Sequence, residues 1–218
     1  MVKRLKRWLL VSGIMSAALF ALAGTWRDPW LWAYVVLWSA STCYALFSID
    51  EDLARERFHP PTAGADGVAL HFVRVVALSH FVVGALDSGR WHVTSPVPPG
   101  LRAFALAAMT LTFAMFYRAM VENRFFSSVV RVQNERGHHV IDSGLYSVVR
   151  HPGYAGLIWG MPFSGLALGS WLAASIGLVM SALILRRVIF EDAFLRKNLE
   201  GYVAYTHRVR DRLIPGVW

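Results

Sequence analysis

Long apolar runs separated by short polar segments dominate the hydropathy pattern of this chain. Four runs come close to the roughly 20 residues that an α-helix needs to cross a bilayer. We expect transmembrane helices at about residues 8–24, 30–49, 68–86 and 101–120. The third run contains His80, whose polar ring should face other helices and not lipid.

The last apolar block, residues 154–189, is too long for one ordinary span. Gly165, Gly169 and Ser170 near its middle predict a turn, so we expect a membrane-embedded helical hairpin. Its first arm would be only about 22 Å long, short of a core of about 30 Å. The pattern therefore predicts a steep or incomplete hairpin.

Composition agrees with a membrane protein. The 218 residues are 56% hydrophobic and 17% charged, with nine Trp and thirteen Phe. We expect an all-α, polytopic helical membrane protein of one domain, because each helix satisfies its own backbone hydrogen bonds in lipid. Residues 1–121 would hold the four N-terminal helices, and residues 122–218 a polar loop, the hairpin and a polar tail.

The basic residues predict the orientation. The net charge of +8 does not indicate nucleic acid, because the basic residues cluster between apolar runs. All but three of the 22 Lys and Arg residues fall on one side of the predicted membrane; the exceptions are Arg27, Arg90 and Arg102. We therefore expect both termini in the cytoplasm, in a cell inner membrane.

The first apolar run resembles a signal peptide, with a basic start and a small-residue site at residues 21–23. The charge balance favours a retained first helix. Its small residues Gly13, Ala17 and Ala21, four apart, predict a face for close helix packing. Residues 50–67 are polar and predict a surface segment with a short interfacial helix.

A short motif, GLYSVVRHPGYAG at residues 144–156, stands just before the hairpin. Pro152 can begin a helix but not continue one, so backbone N–H groups should point toward Arg150 and His151. This arrangement predicts an anion site at the membrane surface. An interfacial anchor of Arg, His and Tyr remains an alternative.

Two polar segments, residues 121–151 and 186–218, should lie on the same face, since the hairpin joins them. Arg187 and Glu191 are four apart and share one helical face, as a functional pair or a salt bridge. Asp192, next to Glu191, should point elsewhere. His138 and His139 lack the spacing of a zinc site, and we expect no metal.

The order of these motifs is similar to that of the isoprenylcysteine carboxyl methyltransferase family. The resemblance covers VQNERGHHVIDSGLYSVVRHPGYAG, the apolar hairpin, the acidic pair at its exit, and the tail GYVAYTHRVRDRLIPGVW. Members of this family are integral-membrane enzymes that use S-adenosylmethionine. The resemblance implies a cytoplasmic cofactor site within residues 122–218 and a lipophilic acceptor.

The resemblance also implies roles for individual residues. Arg187 would meet the carboxylate of the substrate. The cofactor would be bound by Gln133, His138, His139, Val140, Ile141, Tyr146, His151, Pro152, Gly153, Tyr154 and Glu191.

Three other functions fit the pattern. A relative could methylate a phospholipid amine or a small thiol. A reductase of isoprenoid or steroid lipids that uses NADPH shares the membrane setting and a similar motif, and a non-catalytic membrane sensor or scaffold is a third possibility. We expect the bilayer and a lipophilic or lipidated substrate as partners; no protein partner can be inferred.

Overall fold

The described residues of the chain form eight α-helices. The computed structural model describes residues 2–62 and 64–218, with the backbone alone for residues 2 and 3. The helices are α1 (Val2–Ala23), α2 (Pro29–Ser48), α3 (Glu51–Phe58), α4 (Gly67–Leu86), α5 (Pro99–Glu122), α6 (Pro152–Leu168), α7 (Trp171–Asn198) and α8 (Tyr202–Arg208). A π-helical turn, Asp87–Trp91, follows α4, and two 3₁₀ turns interrupt the segment between α5 and α6. No strand occurs in these two described ranges.

Side-chain caps set the starts of several helices. The carboxylate of Asp28 accepts a hydrogen bond from Trp30 N at 2.9 Å, and Pro29 is the first residue of α2. Asp50 caps α3 through Leu53 N at 2.7 Å. Ser170 caps α7 through Ala173 N at 3.0 Å. Helices α1, α2, α4 and α5 cover the four ranges in which we expected N-terminal spans, although α1 begins earlier than residue 8.

The hairpin is formed by α6 and α7, which meet at Gly169 with a positive φ of 89°. α6 has 17 residues; it is therefore only about 25 Å long, against a core of about 30 Å. The predicted end of the hairpin at residue 189 is wrong, because α7 continues to Asn198. The apolar stretch ends at 189, but the following residues include no Gly or Pro that would end the helix.

In the part of the chain that the structure describes, five helices are long and apolar enough to cross a membrane: α1, α2, α4 with its π-helical turn, α5 and α7. Large apolar side chains on their outer faces are exposed, among them Leu10, Ile14, Phe72, Leu111 and Leu178. Apolar side chains can face outward in this way when lipid is the solvent. The chain is an integral, polytopic membrane protein.

Glycines bring α5, α6 and α7 together. A Cβ at Gly156 would lie 2.6 Å from the backbone oxygen of Thr112, and one at Gly165 would overlap the backbone of Ala174. The predicted packing face of α1 is wrong, because a Cβ at Gly13 would meet nothing within 4 Å. Instead α1 buries Leu19 and Ala23 on another side.

Polar side chains join the helices inside the bundle. His80 is fully buried, as predicted, with Nε2 3.0 Å from Ser164 Oγ and Nδ1 3.0 Å from the carbonyl oxygen of Ala173. Tyr34 on α2 is 2.7 Å from the same hydroxyl of Ser164. Four helices therefore share one buried set of hydrogen bonds.

One end of the bundle gathers the polar segments. Arg4 donates to the carbonyl of Leu46, which places the start of α1 beside the end of α2. On the same end, Arg136 Nε donates to Asp52 on α3 at 2.9 Å. Arg150 reaches the carbonyl of Val209 in the tail at 2.8 Å. α3, the α5–α6 segment and the tail therefore surround a common region.

Candidate functional site

A cavity of about 300 Å³ lies at this polar end, between α4, α5, α7, α8 and the α5–α6 segment. One part reaches toward the tail and is lined by Leu195, Leu199, Tyr202 and Tyr205. The other part extends into the membrane-spanning helices and is apolar, lined by Leu70, Val73, Ala77, Leu157, Met180 and Ile184. The cavity thus joins a polar region to one that lipid chains could reach.

All but two of the predicted site residues line this cavity. Those present are His138, His139, Val140, Ile141, Tyr146, His151, Gly153, Tyr154, Arg187 and Glu191. Gln133 and Pro152 do not reach it. Pro152 is buried as the first residue of α6.

Gln133 stabilises the loop behind the cavity. It is fully buried, its Nε2 donates to the carbonyl of Phe125 at 2.8 Å, and its Oε1 accepts from Arg136. Its backbone N–H donates to Nδ1 of His138 at 3.2 Å. The side chain is engaged within the protein, so it supports the cavity wall from behind.

His138 is held as a neutral ring in that wall. Its Nδ1 accepts from Gln133, and the ring stacks on Phe125 with centroids 4.4 Å apart. Burial, together with the charges of His139, Arg131 and Arg136, lowers the pKa of His138 to about 4. The ring is therefore uncharged at pH 7, which leaves its Nε2–H available as a donor.

The anion that Arg150 and His151 meet is Asp192 of the same chain. Arg150 donates from Nε and Nη2 to the two carboxylate oxygens of Asp192 at 2.8 and 3.3 Å. His151 Nε2 lies 3.4 Å from Asp192 and 3.3 Å from the hydroxyl of Tyr202. The predicted anion site before Pro152 is thus already filled by Asp192, because α7 runs past the point where the hairpin was expected to end.

The turn that carries Tyr146 depends on a close approach. Gly144 has a φ of 50°, and a Cβ there would overlap the carboxylate of Glu122. Glu122 accepts from Leu145 N at 2.9 Å, and Tyr205 donates to the carbonyl of Tyr146 at 2.7 Å. Burial raises the pKa of the Tyr146 phenol, so this hydroxyl stays protonated.

Arg187, Tyr154 and Glu191 meet where the two parts of the cavity join. Tyr154 donates its hydroxyl proton to Glu191 at 2.6 Å, and the guanidinium of Arg187 lies 5.9 Å from the centre of the Tyr154 ring. Asp192 faces away, toward Arg150, as its position next to Glu191 predicted. The helical spacing brings one cation and one anion to the same cavity.

Arg187 pairs with a residue that the sequence did not single out. Its Nη2 lies 3.0 Å from Asp66 Oδ2 and donates to the carbonyl of Ser128 at 2.7 Å. Asp66 also accepts from Val130 N at 2.9 Å. We expected residues 50–67 to be a surface segment; this is wrong for Asp66, which is buried at the start of α4.

The inner face of α3 also belongs to the site. Leu53 and Glu56 are buried, and Arg57 lines the cavity. Their positions, 53, 56 and 57, have the i, i+3, i+4 spacing of one helical face. That spacing was the signal available in the sequence, but the short polar helix concealed it.

Glu56 orders the segment after α5. It accepts two hydrogen bonds from Arg131, at 3.0 and 2.6 Å, and one from the Ser127 hydroxyl at 2.6 Å. Burial alone would raise the pKa of this carboxyl, but the hydrogen bonds from Arg131 and Ser127 outweigh burial and lower it. The carboxylate therefore stays ionised and holds residues 127–131 against α3.

The donor set fits S-adenosylmethionine. Glu191 is the one carboxylate among the residues described along the cavity wall, and it offers an acceptor for a cationic or hydroxyl group. The Tyr154 ring beside it suits a sulfonium or ammonium cation. Val140 and Ile141 give an apolar wall on the same side. Within residues 2–62 and 64–218, no three His, Cys, Asp or Glu side chains are grouped as metal ligands would be.

Known proteins resemble this chain in the same region. The model of the isoprenylcysteine carboxyl methyltransferase family matches residues 102–197. A "Probable protein-S-isoprenylcysteine O-methyltransferase" from Oryza sativa subsp. indica is 32% identical over 92 residues, or 41% of this chain. "Protein-S-isoprenylcysteine O-methyltransferase B" from Arabidopsis thaliana is 25% identical over 158 residues, or 65% of this chain.

The coverage of these relatives differs. The chain spans about half the length of the rice relative, 48%, and 80% of the Arabidopsis relative. The family match includes every predicted site residue from Gln133 to Glu191 but ends before α8. The resemblance to the isoprenylcysteine carboxyl methyltransferase family, which the motifs indicated, is therefore confirmed over residues 102–197.

Proposed function

We propose that this protein is a membrane methyltransferase that uses S-adenosylmethionine and a lipophilic acceptor. The observation that carries the proposal is the meeting of Arg187, Tyr154 and Glu191 at the junction of the cavity's polar and apolar parts. An activated methyl group and a lipid-borne nucleophile need such a junction. The named relatives in rice and Arabidopsis support the same reaction class.

The cofactor would occupy the polar part of the cavity. Glu191 would accept from its cationic or ribose donors, and the neutral His138 ring would donate from Nε2. Val140 and Ile141 would pack against the adenine. Gln133 and Arg150 would act indirectly, because their polar atoms are engaged with the protein.

When bound, S-adenosylmethionine supplies a methyl group that is already activated, so the protein need not transfer a proton. A carboxylate oxygen of the acceptor would attack the methyl carbon as the carbon–sulfur bond breaks, giving a methyl ester and S-adenosylhomocysteine. Arg187 would orient that carboxylate, and Tyr154 and Glu191 would fix the methyl donor in line with it. The apolar wall formed by Met180 and Ile184 would exclude water.

The acceptor would enter from the bilayer and the cofactor from the cytoplasm. The apolar part of the cavity lies between membrane-spanning helices α4 and α7. The distribution of Lys and Arg supports a cytoplasmic polar end, with both termini there, in a cell inner membrane. We favour an isoprenylcysteine-like carboxylate as the acceptor, with a phospholipid amine or a small thiol as the alternatives to be tested.

Ligand-induced stabilisation tests the cofactor. Purified protein in detergent should gain thermal stability from S-adenosylhomocysteine and none from NADPH, because a ligand stabilises only the state that binds it. At about 100 times Kd the gain is about 2.7 kcal/mol. Stabilisation by NADPH alone would instead support a lipid reductase, and stabilisation by neither would support a sensor or scaffold.

The acceptor is identified by a parallel assay. Transfer of a labelled methyl group from S-adenosylmethionine would be measured into a lipid extract, a prenylcysteine analogue and a set of small thiols. We expect label in the prenylcysteine analogue or the lipid extract, since the acceptor part of the cavity is apolar. Label in the thiols alone would contradict a lipophilic acceptor.

A further inference from the structure

Most arginines that line the cavity are paired with carboxylates. Arg131 is paired with Glu56, Arg150 with Asp192, and Arg187 with Asp66. Arg57 and Arg74 have no carboxylate within 4 Å in the described part of the chain. Arg74 is exposed on α4, whereas Arg57 is partly buried against the cavity. Arg57 is thus an interior cation without a counter-ion.

The surroundings of Arg57 do not neutralise it. Its Nη1 donates to the carbonyl of Ser127 at 3.1 Å, and its guanidinium lies over the rings of Phe126 and Phe116 at 5.3 and 5.8 Å. Burial lowers the pKa of Arg57, and the nearby charge of Arg187 lowers it further. An anion beside Arg57 would relieve both effects.

Arg57 and Arg187 are held by neighbouring carbonyl groups. Arg57 binds the oxygen of Ser127, and Arg187 binds that of Ser128. Arg187 is only 7% exposed, and its Nε has no hydrogen-bond partner in the described structure. The buried hydroxyl of Ser128 also has none there. Asp66 Oδ2, which lies 3.0 Å from Arg187 Nη2, also lacks a hydrogen bond in the described structure, so the polar contacts around Arg187 are incomplete.

A second cavity, of about 540 Å³, shares Arg57 and Phe116 with the first. It lies between α1, α2, α3 and α5 and is lined by apolar side chains that include Trp38, Ile49 and Met120. Arg57 is therefore open to two cavities and is not enclosed by packed protein. Such a position suits a ligand-binding cation better than a structural one.

We propose that Arg57 is a specificity-determining residue that binds the anionic group of the acceptor in the cavity that Arg187 also lines. This rests on the proposed function and deepens it, because Arg187 alone, already paired with Asp66, offers little free charge. The acceptor is thereby an amphiphile with an anionic head next to the methyl-transfer position. Arg57 lies outside residues 102–197, so this role belongs to the N-terminal half of the chain.

The test compares the affinity of the protein for a carboxylate ligand with its affinity for the corresponding neutral carboxamide. An S-prenylated N-acylcysteine and its carboxamide would be titrated into the protein in detergent, with and without S-adenosylhomocysteine. Wild type should bind the carboxylate about tenfold or more tightly than the amide, as hydrogen bonds to charged groups do. R57M should lose most of that preference with unchanged affinity for the amide and for S-adenosylhomocysteine.

The exposed Arg55 on the same helix supplies the matched control, and R55M should keep the preference. R57K retains the positive charge and should keep part of the preference for the carboxylate. This variant also tests the role of Arg57 if R57M does not fold. Equal binding of acid and amide by wild type, or an unchanged preference in R57M, would overturn the role of Arg57. Failure of S-adenosylhomocysteine to bind wild type would instead overturn the proposed function.

Discussion

Glu191 and Asp192 are neighbours on α7 that face different parts of the molecule. Glu191 accepts from Tyr154 in the cavity, while Asp192 is almost fully buried and is approached by three arginines. Those arginines are Arg150, Arg196 and Arg212, with contacts of 2.8, 3.1 and 3.2 Å. Asp192 therefore joins the motif before α6 to the tail, while Glu191 faces the cavity.

Neutralising Asp192 should lower the stability of the protein, whereas neutralising Glu191 should weaken ligand binding. D192N leaves Arg150 buried without a counter-ion, so we expect the free energy of unfolding to fall by about 3–5 kcal/mol. E191Q should change stability by less than about 1 kcal/mol, because the side chain is only partly buried, and should weaken S-adenosylhomocysteine binding about tenfold. Denaturant unfolding in micelles and ligand titration measure the two effects. Equal loss of stability in both variants would contradict this division.

The sequence was a good guide to which residues line the site and a poorer guide to their partners. Arg150 and His151 stood out through Pro152, but nothing local indicated that they would meet Asp192, 41 residues further along the chain. Asp66 was missed for the same reason, since its contact with Arg187 spans more than a hundred positions. Residue type and spacing indicate a role, whereas long-range pairing depends on the fold.

At the scale of the elements, hydropathy predicted the long helices well because membrane spans need apolar length. The short helix expected within residues 50–67 is present as α3, but its buried inner face was not predicted. The end of α7 was also missed, because the helix continues beyond its apolar stretch. The small residues of α1 predicted a packing face that turns outward. Glycines in α6 and α7 do bring helices together, so small residues alone do not tell which face packs.

Substituting Gly165 and Gly13 by alanine therefore compares a packed helix glycine with one in open space. G165A places a Cβ against the backbone of Ala174 at the hairpin, and we expect a loss of about 1–3 kcal/mol in the free energy of unfolding. G13A adds a Cβ in open space and should be neutral or stabilise the helix by up to about 1 kcal/mol. Thermal unfolding in the same detergent compares them. A neutral G165A would mean that α6 and α7 can separate without cost.

For the whole molecule, the arrangement of the spans puts α3, the α5–α6 segment and the tail at one end, as the alternation of apolar and polar segments predicted. That end carries most of the Lys and Arg residues. The orientation in the cell stays a prediction from this charge distribution.

Cysteine accessibility tests the orientation. In a background with Cys43→Ser, V93C and R210C place thiols at exposed positions on opposite ends of the bundle. A membrane-impermeant maleimide should label V93C in intact spheroplasts and label R210C only after permeabilisation, if the polar end is cytoplasmic. The reverse pattern would invert the predicted topology.

The hydrogen bonds around His80 have only one possible direction. The carbonyl of Ala173 can only accept, so the proton is on Nδ1 and Nε2 must accept from Ser164. The Ser164 hydroxyl has one proton and already donates it to His80, so the hydroxyl of Tyr34 must donate to Ser164 Oγ. In lipid no water can replace a broken bond of this relay, so rotation of α2, α4, α6 and α7 against one another at this depth is disfavoured. An acceptor that enters between α4 and α7 would therefore do so nearer the polar end than His80, beside Leu70 and Val73.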